Sequence, residues 1–367
     1  MKQNHDKFTL KEILGSSISR SDALAAIRAD SMAYQTFSSF PLEEQEKLIS
    51  FIQGVQGLTI TYDSFFKHIM NPDTHPSRLS GFLSAILGQS VKVHNVLPLE
   101  GVRMSESGSF VIMDLAVELS NKTIVNVEIQ KLGYLFPGER ASCYLSDFVM
   151  RQYNRVKDQQ KEHFSFRDLK PVILIVIMEK SSPEFKAVSP AYIHREINSF
   201  DSGAKVASLF QTIYISLDTF HSIVQTIDTN LKAWLTFLSS DQPADIIRLV
   251  SAYPEFLPCY HDIVEFRRNP KELMFMYSEA LAILDRNTEI YMCELLKKEV
   301  EENKRVLAEM NAALAEKHTA LAEKDTALAK KEFALAEKDT VLAEKEAALK
   351  AALSQISLLE KRLADLT

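Results

Sequence analysis

The chain has 367 residues, of which 46% are hydrophobic and 25% charged. This is the composition of an ordinary soluble globular protein with one or two domains. Its three cysteines stand far apart without a CxxC pattern, so neither a disulfide framework nor a zinc site is indicated. No apolar run suits a signal peptide or a membrane span, and we therefore expect a cytoplasmic protein without membrane contact. The net charge of -7 argues against broad coating of nucleic acid but permits a local basic cleft.

The first segment, residues 1–57, is predicted to form short helices. Leu48, Ile49 and Ile52 recur there at near-helical spacing, and Gly54 follows them as a typical helix end. These helices are expected to precede the main domain.

Residues 58–218 have a mixed α/β pattern. Two helical stretches, DSFFKHIM and SRLSGFLSAILG, precede a predicted hairpin in which SFVIMDLAVEL and TIVNVEIQ flank the polar turn SNK. A long helix is predicted over about 138–158. The apolar run PVILIVIME that follows is typical of a strand covered on both faces, and LFQTIYISL is a further strand. The expected fold class is therefore α/β.

The remaining chain is predicted to be helical. Residues 219–296 form a helical extension in which Trp234, Leu235 and Phe237 are expected to anchor the packing. Residues 297–367 consist of near-copies of the heptad ALAEKDT. Leucines recur there at intervals of seven residues, namely Leu307, Leu314, Leu321, Leu328, Leu335, Leu342 and Leu349.

The heptad segment has an incomplete apolar seam. A coiled coil normally has two apolar positions per heptad, but the position four residues after most of these leucines is charged or polar. The abundance of Ala, Leu, Glu and Lys nevertheless favours a helix by propensity alone. We expect a coiled-coil tail that self-associates as a dimer, with a lone exposed helix as the alternative.

The predicted hairpin carries two carboxylates and an amide. Side chains alternate between the faces of a strand, so Glu128 and Gln130 point the same way. If the turn has three residues, the numbers of paired residues sum to 242 and Asp114 lies opposite Glu128. A two-residue turn would place the two acids on opposite faces.

Two carboxylates on one face suit phosphodiester hydrolysis. Mg²⁺, or Mn²⁺ in its place, binds oxygen ligands and lowers the pKa of an attacking water. Asp114, Glu128 and the backbone carbonyl of Ile129 would form a metal site with few protein ligands, and Gln130 would orient the water. The alternative is that both acids lie on a solvated face. Their apolar neighbours in the sequence count against it, because isolated buried charges are costly.

Five blocks of this chain, taken in order, resemble the PD-(D/E)xK nuclease family transposases. The blocks are TYDSFFKHIMNP, FLSAIL, IMDLAVEL, NVEIQ and FPGERASCYLSDFVMRQY, and the resemblance covers about residues 58–296. It implies a restriction-endonuclease-like αβββαβ core, with helical additions here, that cleaves DNA with Mg²⁺.

The resemblance also implies roles for particular residues. Asp114 and Glu128 stand at the two acids of the motif, and Asp63 fits an additional acid at the start of the first core helix. Gln130 stands where the superfamily usually has Lys, and Met113 where its name expects Pro. An amide carries no charge to steady a phosphate, so the turnover rate is in question but the reaction class is not.

One face of the helix after the hairpin is polar. We predict that Arg140, Arg151 and Gln152 contact DNA phosphate. The alternative is a solvated surface, or pairing between Arg and Asp within the helix. The residues of this polar face recur at helical spacing and are Arg140, Tyr144, Asp147, Arg151 and Arg155.

The leading hypothesis is a metal-dependent DNA endonuclease connected with transposition or recombination. A second hypothesis is a catalytically weak DNA-binding or assembly protein that keeps the nuclease fold and works through its tail. A third is a coiled-coil scaffold with no nucleic-acid role.

Overall fold

The structure, a computed structural model, describes residues 7–97, 115–133 and 136–364. Three groups of elements succeed one another along the chain. The N-terminal helices are α1 (Leu10–Leu14), α2 (Arg20–Arg28), α3 (Ser31–Ser39), α4 (Leu42–Gln53), α5 (Asp63–Ile69) and α6 (Pro76–Leu87). The central elements are β1 (Val93–Val96), β2 (Leu115–Leu119), β3 (Ile124–Leu132), α7 (Gly138–Gln160), β4 (Val172–Lys180), α8 (Pro183–Lys186), β5 (Ile193–Arg195) and β6 (Phe210–Ser216). The C-terminal helices are α9 (Leu217–Ile223), α10 (Asn230–Ser239), α11 (Pro243–Ala252), α12 (Leu257–Arg268) and α13 (Pro270–Ala364).

The strands form one mixed sheet in the order β1-β2-β3-β4-β6-β5. β3, β4 and β6 are parallel to each other, whereas β1, β2 and β5 each pair antiparallel with a neighbour. From α6 to β4 the elements follow the order α-β-β-β-α-β. The predicted α/β class is confirmed. β1 and β5 are short edge strands that sequence patterns did not predict.

The hairpin between β2 and β3 has the three-residue turn. The amide of Leu119 donates to the carbonyl of Thr123 at 2.8 Å, and Lys122 has the positive φ of 68° that such a turn requires in its last residue. Pairing continues to Leu115 opposite Val127, and the paired numbers sum to 242. Of the two registers considered, the described part of the hairpin therefore has the one that follows from a three-residue turn.

The chain divides into two compact units, Met1–Glu289 and Ile290–Thr367. In the first unit, one face of the sheet shares a core with the N-terminal helices and with α9 to α12. α7 covers the other face, which has a separate apolar cluster. The second unit, described by itself, is helical through Ala364. None of the helices in the described ranges combines the length and the apolar character that crossing a membrane requires.

Arg267 connects α12 to the C-terminal ends of α1 and α4. Its guanidinium donates to the carbonyls of Leu14, the last residue of α1, and of Ser16 just after it, and to that of Ile52 near the end of α4. A cation is favourable at the C-terminus of a helix, where carbonyl groups lack partners. The guanidinium lies so close to Gly54 that a Cβ there would stand 2.4 Å from one of its nitrogens.

We expect Arg267→Ala to lower the free energy of unfolding by about 2 kcal/mol, because several carbonyls lose a charged donor in a half-buried position. Urea denaturation followed by circular dichroism measures the change. The matched control is Arg268→Ala, which removes only an exposed ion pair with Glu265 and should cost at most about 0.5 kcal/mol. Equal losses in the two variants would contradict the role assigned to Arg267.

Candidate active site

Three polar side chains form a row on β3. Asn126 is 0%, Glu128 1% and Gln130 5% exposed. All three occupy even-numbered positions, and the even-numbered face of β3 is the one that α7 covers. Asn126 Nδ2 donates to Glu128 Oε1 at 2.9 Å. β3 therefore holds a carboxylate between two amide side chains inside the protein.

The surroundings of this polar row are largely apolar. β3 lies between β2 and β4, and Glu128 and Gln130 pair in register with Val176 and Met178 of β4. A carboxylate in such surroundings is costly unless charge or hydrogen bonds compensate it. The solvated-face alternative is therefore wrong for Glu128.

α7 directs charged groups to the same side of the sheet. Asp147 is buried, and its Oδ2 lies 2.7 Å from Arg151 Nε. Arg140 Nη2 donates to the hydroxyl of Tyr144 at 2.8 Å, and its guanidinium lies 4.8 Å from the ring centre of Phe136. The pairing of Arg with Asp within the helix, one of the two alternatives from the sequence, is present at Arg151.

Arg155, farther along the same helical face, is also paired. Its Nη2 lies 2.6 Å from Glu118 Oε2, and Lys122 Nζ lies 2.9 Å from the other oxygen of that carboxylate. Burial on its own would raise the pKa of Glu118, but the two cations outweigh it and lower that pKa. Glu118 is thus an ionised acid in a structural ion pair.

Gln152 has a structural contact of its own. Its Oε1 accepts from the backbone amide of Lys170 at 2.5 Å, and its Nε2 donates to the carbonyl of the same residue at 3.2 Å. The side chain is buried. A phosphate contact at Gln152, as predicted from the sequence, would compete with this pairing.

Lys131, the residue after Gln130, lies on the opposite face of the sheet. Its ammonium pairs with Glu179, donates to Thr61 Oγ1 at 3.0 Å and lies 3.5 Å from the ring centre of Tyr62. Burial would raise the pKa of Glu179, but the Lys131 charge and the hydrogen bonds of that carboxylate lower it. In this arrangement Lys131 does not supply the lysine that the motif lacks at position 130.

The structure describes only part of the predicted site. Asp114 lies outside the described residues, as does the side chain of Asp63, whose backbone begins α5. Among the described residues no group of three or more His, Cys, Asp or Glu could hold a metal ion. Asn126 was not among the predicted site residues, although its place two residues before Glu128 puts it on the same face.

The comparison with known proteins identifies the class of protein. Residues 60–293 match the family model described as PD-(D/E)XK nuclease family transposase. This is more than half of the chain and includes the whole sheet. The chain belongs to this family. No curated protein and no solved structure matches it.

We expect Glu179→Gln to lower the free energy of unfolding by about 2 kcal/mol, because it leaves the Lys131 ammonium buried without its counter-charge. The value allows for the partial exposure of Glu179. Lys131→Met removes the charge itself and should cost less. Urea denaturation of both single variants and the double variant gives the interaction free energy between Lys131 and Glu179. The exposed neighbour Lys180, changed to Met, is the control. A larger loss for Lys131→Met than for Glu179→Gln would count against a charge pair at this position.

Proposed function

We propose that this protein is a Mg²⁺-dependent DNA endonuclease that acts in transposition or recombination. The observation that carries the proposal is the polar row on β3, in which Glu128 is almost fully buried beside two amides. A folded chain retains a buried carboxylate at such cost where a partner or a cation offsets it. Family membership supports both the reaction class and the DNA substrate.

The hairpin register supports a second carboxylate in the same site. Pairing extends from Glu118 opposite Ile124 to Leu115 opposite Val127. One further pair in this register would bring Asp114 opposite Glu128. We propose that these two carboxylates share the metal ion.

The donor atoms of the polar row fit a hard cation. Glu128 supplies carboxylate oxygen, and Asn126 Oδ1 is buried without a hydrogen-bond donor among the described residues. Oxygen donors of these kinds suit Mg²⁺, with Mn²⁺ as a substitute. Asp114, Glu128 and the carbonyl of Ile129 would hold the ion, which supplies Lewis-acid activation of the phosphate and of water.

The remaining residues of the site bind and orient. Gln130 has an amide that can position a water but cannot take its proton. The proposed phosphate contacts are Arg140 and Arg151, which carry the positive charge that Lys would supply in the usual motif. Gln152 is the weakest of these candidates because of its contacts with Lys170. Asp63 is the proposed additional acid.

We further propose that the heptad segment forms a dimeric coiled coil. The leucines from Leu307 to Leu349 are 55–62% exposed. On a straight α-helix, residues seven apart drift around the helix axis by about 20° per heptad. The row of leucines would therefore rotate by about 120° around the axis over its six heptads. Left-handed supercoiling around a partner helix keeps all of these leucines along the interface with that helix. Burial of these side chains is the proposed driving force.

We expect nicking of supercoiled plasmid to require Mg²⁺ or Mn²⁺ and to stop in EDTA. Asp114→Ala and Glu128→Ala each remove a proposed ligand, so both should fall to background. Gln130→Ala should lose about 10- to 100-fold, as for a positioning group. Gln130→Lys, which restores a charge beside the phosphate, should retain or increase the rate.

The matched control is Glu118→Gln, which alters another buried glutamate on the same face of the sheet but outside the proposed site. It should keep the wild-type nicking rate for the protein that remains folded by circular dichroism. Activity in EDTA, or wild-type rates in Asp114→Ala and Glu128→Ala, would overturn the proposal. An inactive wild type with an active Gln130→Lys variant would instead favour a DNA-binding protein that has lost catalysis.

We expect truncation before Val300 to convert a dimer into a monomer while the first unit stays folded, because that unit ends at Glu289. Light scattering after size exclusion gives the mass, and circular dichroism gives the folding. Leu321→Ala combined with Leu328→Ala in the full chain should weaken association, whereas Thr326→Ala should not. An unchanged oligomeric state after truncation would indicate a lone helix.

A further inference from the structure

Three aromatic rings lie together where α7 ends and the chain turns back towards β4. Tyr153 and Phe166 have nearly parallel rings, with centres 6.0 Å apart and planes at 14°. Phe164 meets both of them edge-on, at 5.4 Å and 5.3 Å. We call these three residues the aromatic platform.

The outer ring of the platform faces solvent. Phe166 is 73% exposed, so packing in the interior does not explain its position. The turn that holds it is fixed by a capping box, in which the Ser165 amide donates to Asp168 Oδ2 at 2.8 Å and the Arg167 amide donates to Ser165 Oγ at 3.3 Å. A flat apolar surface is thus held in place before any ligand arrives.

The segment that carries the platform has a small excess of cations. Residues 153–170 contain five Lys or Arg against three Asp or Glu, in a chain whose net charge is -7. Lys157 Nζ donates to the hydroxyl of Tyr153 at 2.9 Å and lies 5.2 Å from its ring centre. Within the described part of the chain, Lys157, Lys161 and Arg167 form no ion pair with a carboxylate. Their charges are available to an anionic ligand.

An exposed ring stacked on a second ring, with cations nearby that form no ion pair, matches the chemistry of single-stranded nucleic acid. Bases stack on aromatic faces irrespective of sequence, while cations contact the phosphates between them. We propose that the aromatic platform binds unpaired bases of a DNA strand, with Lys157, Lys161 and Arg167 at its phosphates. This inference rests on the proposed function, from which it takes DNA as the ligand.

The platform lies on the same helix as the proposed phosphate contacts, towards the turn end of the hairpin, where Arg155 pairs with Glu118. Tyr153 lies two residues beyond Arg151 on α7, and about 9 Å of helix axis separates it from Asp147. A strand would have to extend beyond the proposed site to reach the rings. The platform would therefore favour DNA with an unpaired segment at a distance from the cleaved phosphate.

The test is binding of a fluorescent oligothymidylate of about 12 nucleotides to the full chain in EDTA, measured by anisotropy. We expect Phe166→Ala to weaken binding by about 5- to 100-fold, the effect of losing one stacked base. Phe166→Leu keeps an apolar side chain without a ring and should weaken binding similarly. Phe166→Trp should bind at least as well as wild type.

The matched control is Phe200→Ala, which removes another exposed phenylalanine outside the platform and should change affinity less than about two-fold. Duplex DNA of the same length should also bind all variants within about two-fold, because paired bases cannot stack on the ring. Wild-type affinity of Phe166→Ala for the oligonucleotide would overturn the inference. Full binding by Phe166→Leu would also overturn it and indicate an apolar surface for a protein partner.

The outcome is separable from that for the proposed function. Binding in EDTA needs no catalysis, so a normal affinity of Phe166→Ala together with inactive Glu128→Ala would reject the platform alone. Weakened binding by Phe166→Ala together with wild-type nicking by Glu128→Ala would support the platform and reject the proposed catalytic site.

Discussion

The burial of one carboxylate, that of Glu128, constrains which groups can surround it in the central sheet. β3 lies between two other strands, and α7 covers the face that carries its polar row. The amide of Asn126 then provides a direct hydrogen bond. Each of these conditions is met by a local feature of the sequence, namely the three-residue turn before β3, the Pro137 and Gly138 start of α7 and the apolar β4. Together these features bury a carboxylate that would be costly without compensation.

Much of this arrangement follows from the sequence because strand periodicity and turn length are local properties. Of the two turn lengths considered, the three-residue turn is the one present, with Leu119 paired to Thr123, and it fixes which residues of β2 share a face with Glu128. The same periodicity places Asn126 in the polar row, but an amide between Val125 and Val127 resembles an ordinary strand residue. β1 and β5 escaped detection because three or four residues with polar side chains show no clear alternation.

The partners of the charged residues could not be predicted in the same way. Lys131 stands next to Gln130 in the chain, yet its ammonium belongs to a network with Thr61 and Glu179 across the sheet. Likewise, the spacing of α7 cannot distinguish Arg155, which pairs with Glu118 on β2, from an arginine directed at a ligand. Such contacts depend on which elements meet in three dimensions, and this information is spread over distant parts of the chain.

The contacts of Arg267 have a consequence for how the chain folds during its synthesis. The carbonyls of Leu14 and Ile52 are satisfied by a side chain that follows them by more than two hundred residues. Farther along, the amides of Gly57 and Ile60 donate to carbonyls in residues 238–241, so this region too lacks partners until the later helices exist. During synthesis the first helices therefore emerge with exposed polar ends and an unfilled core. We therefore expect them to reach their final packing only after α12 has left the ribosome, so that the first unit folds late in synthesis.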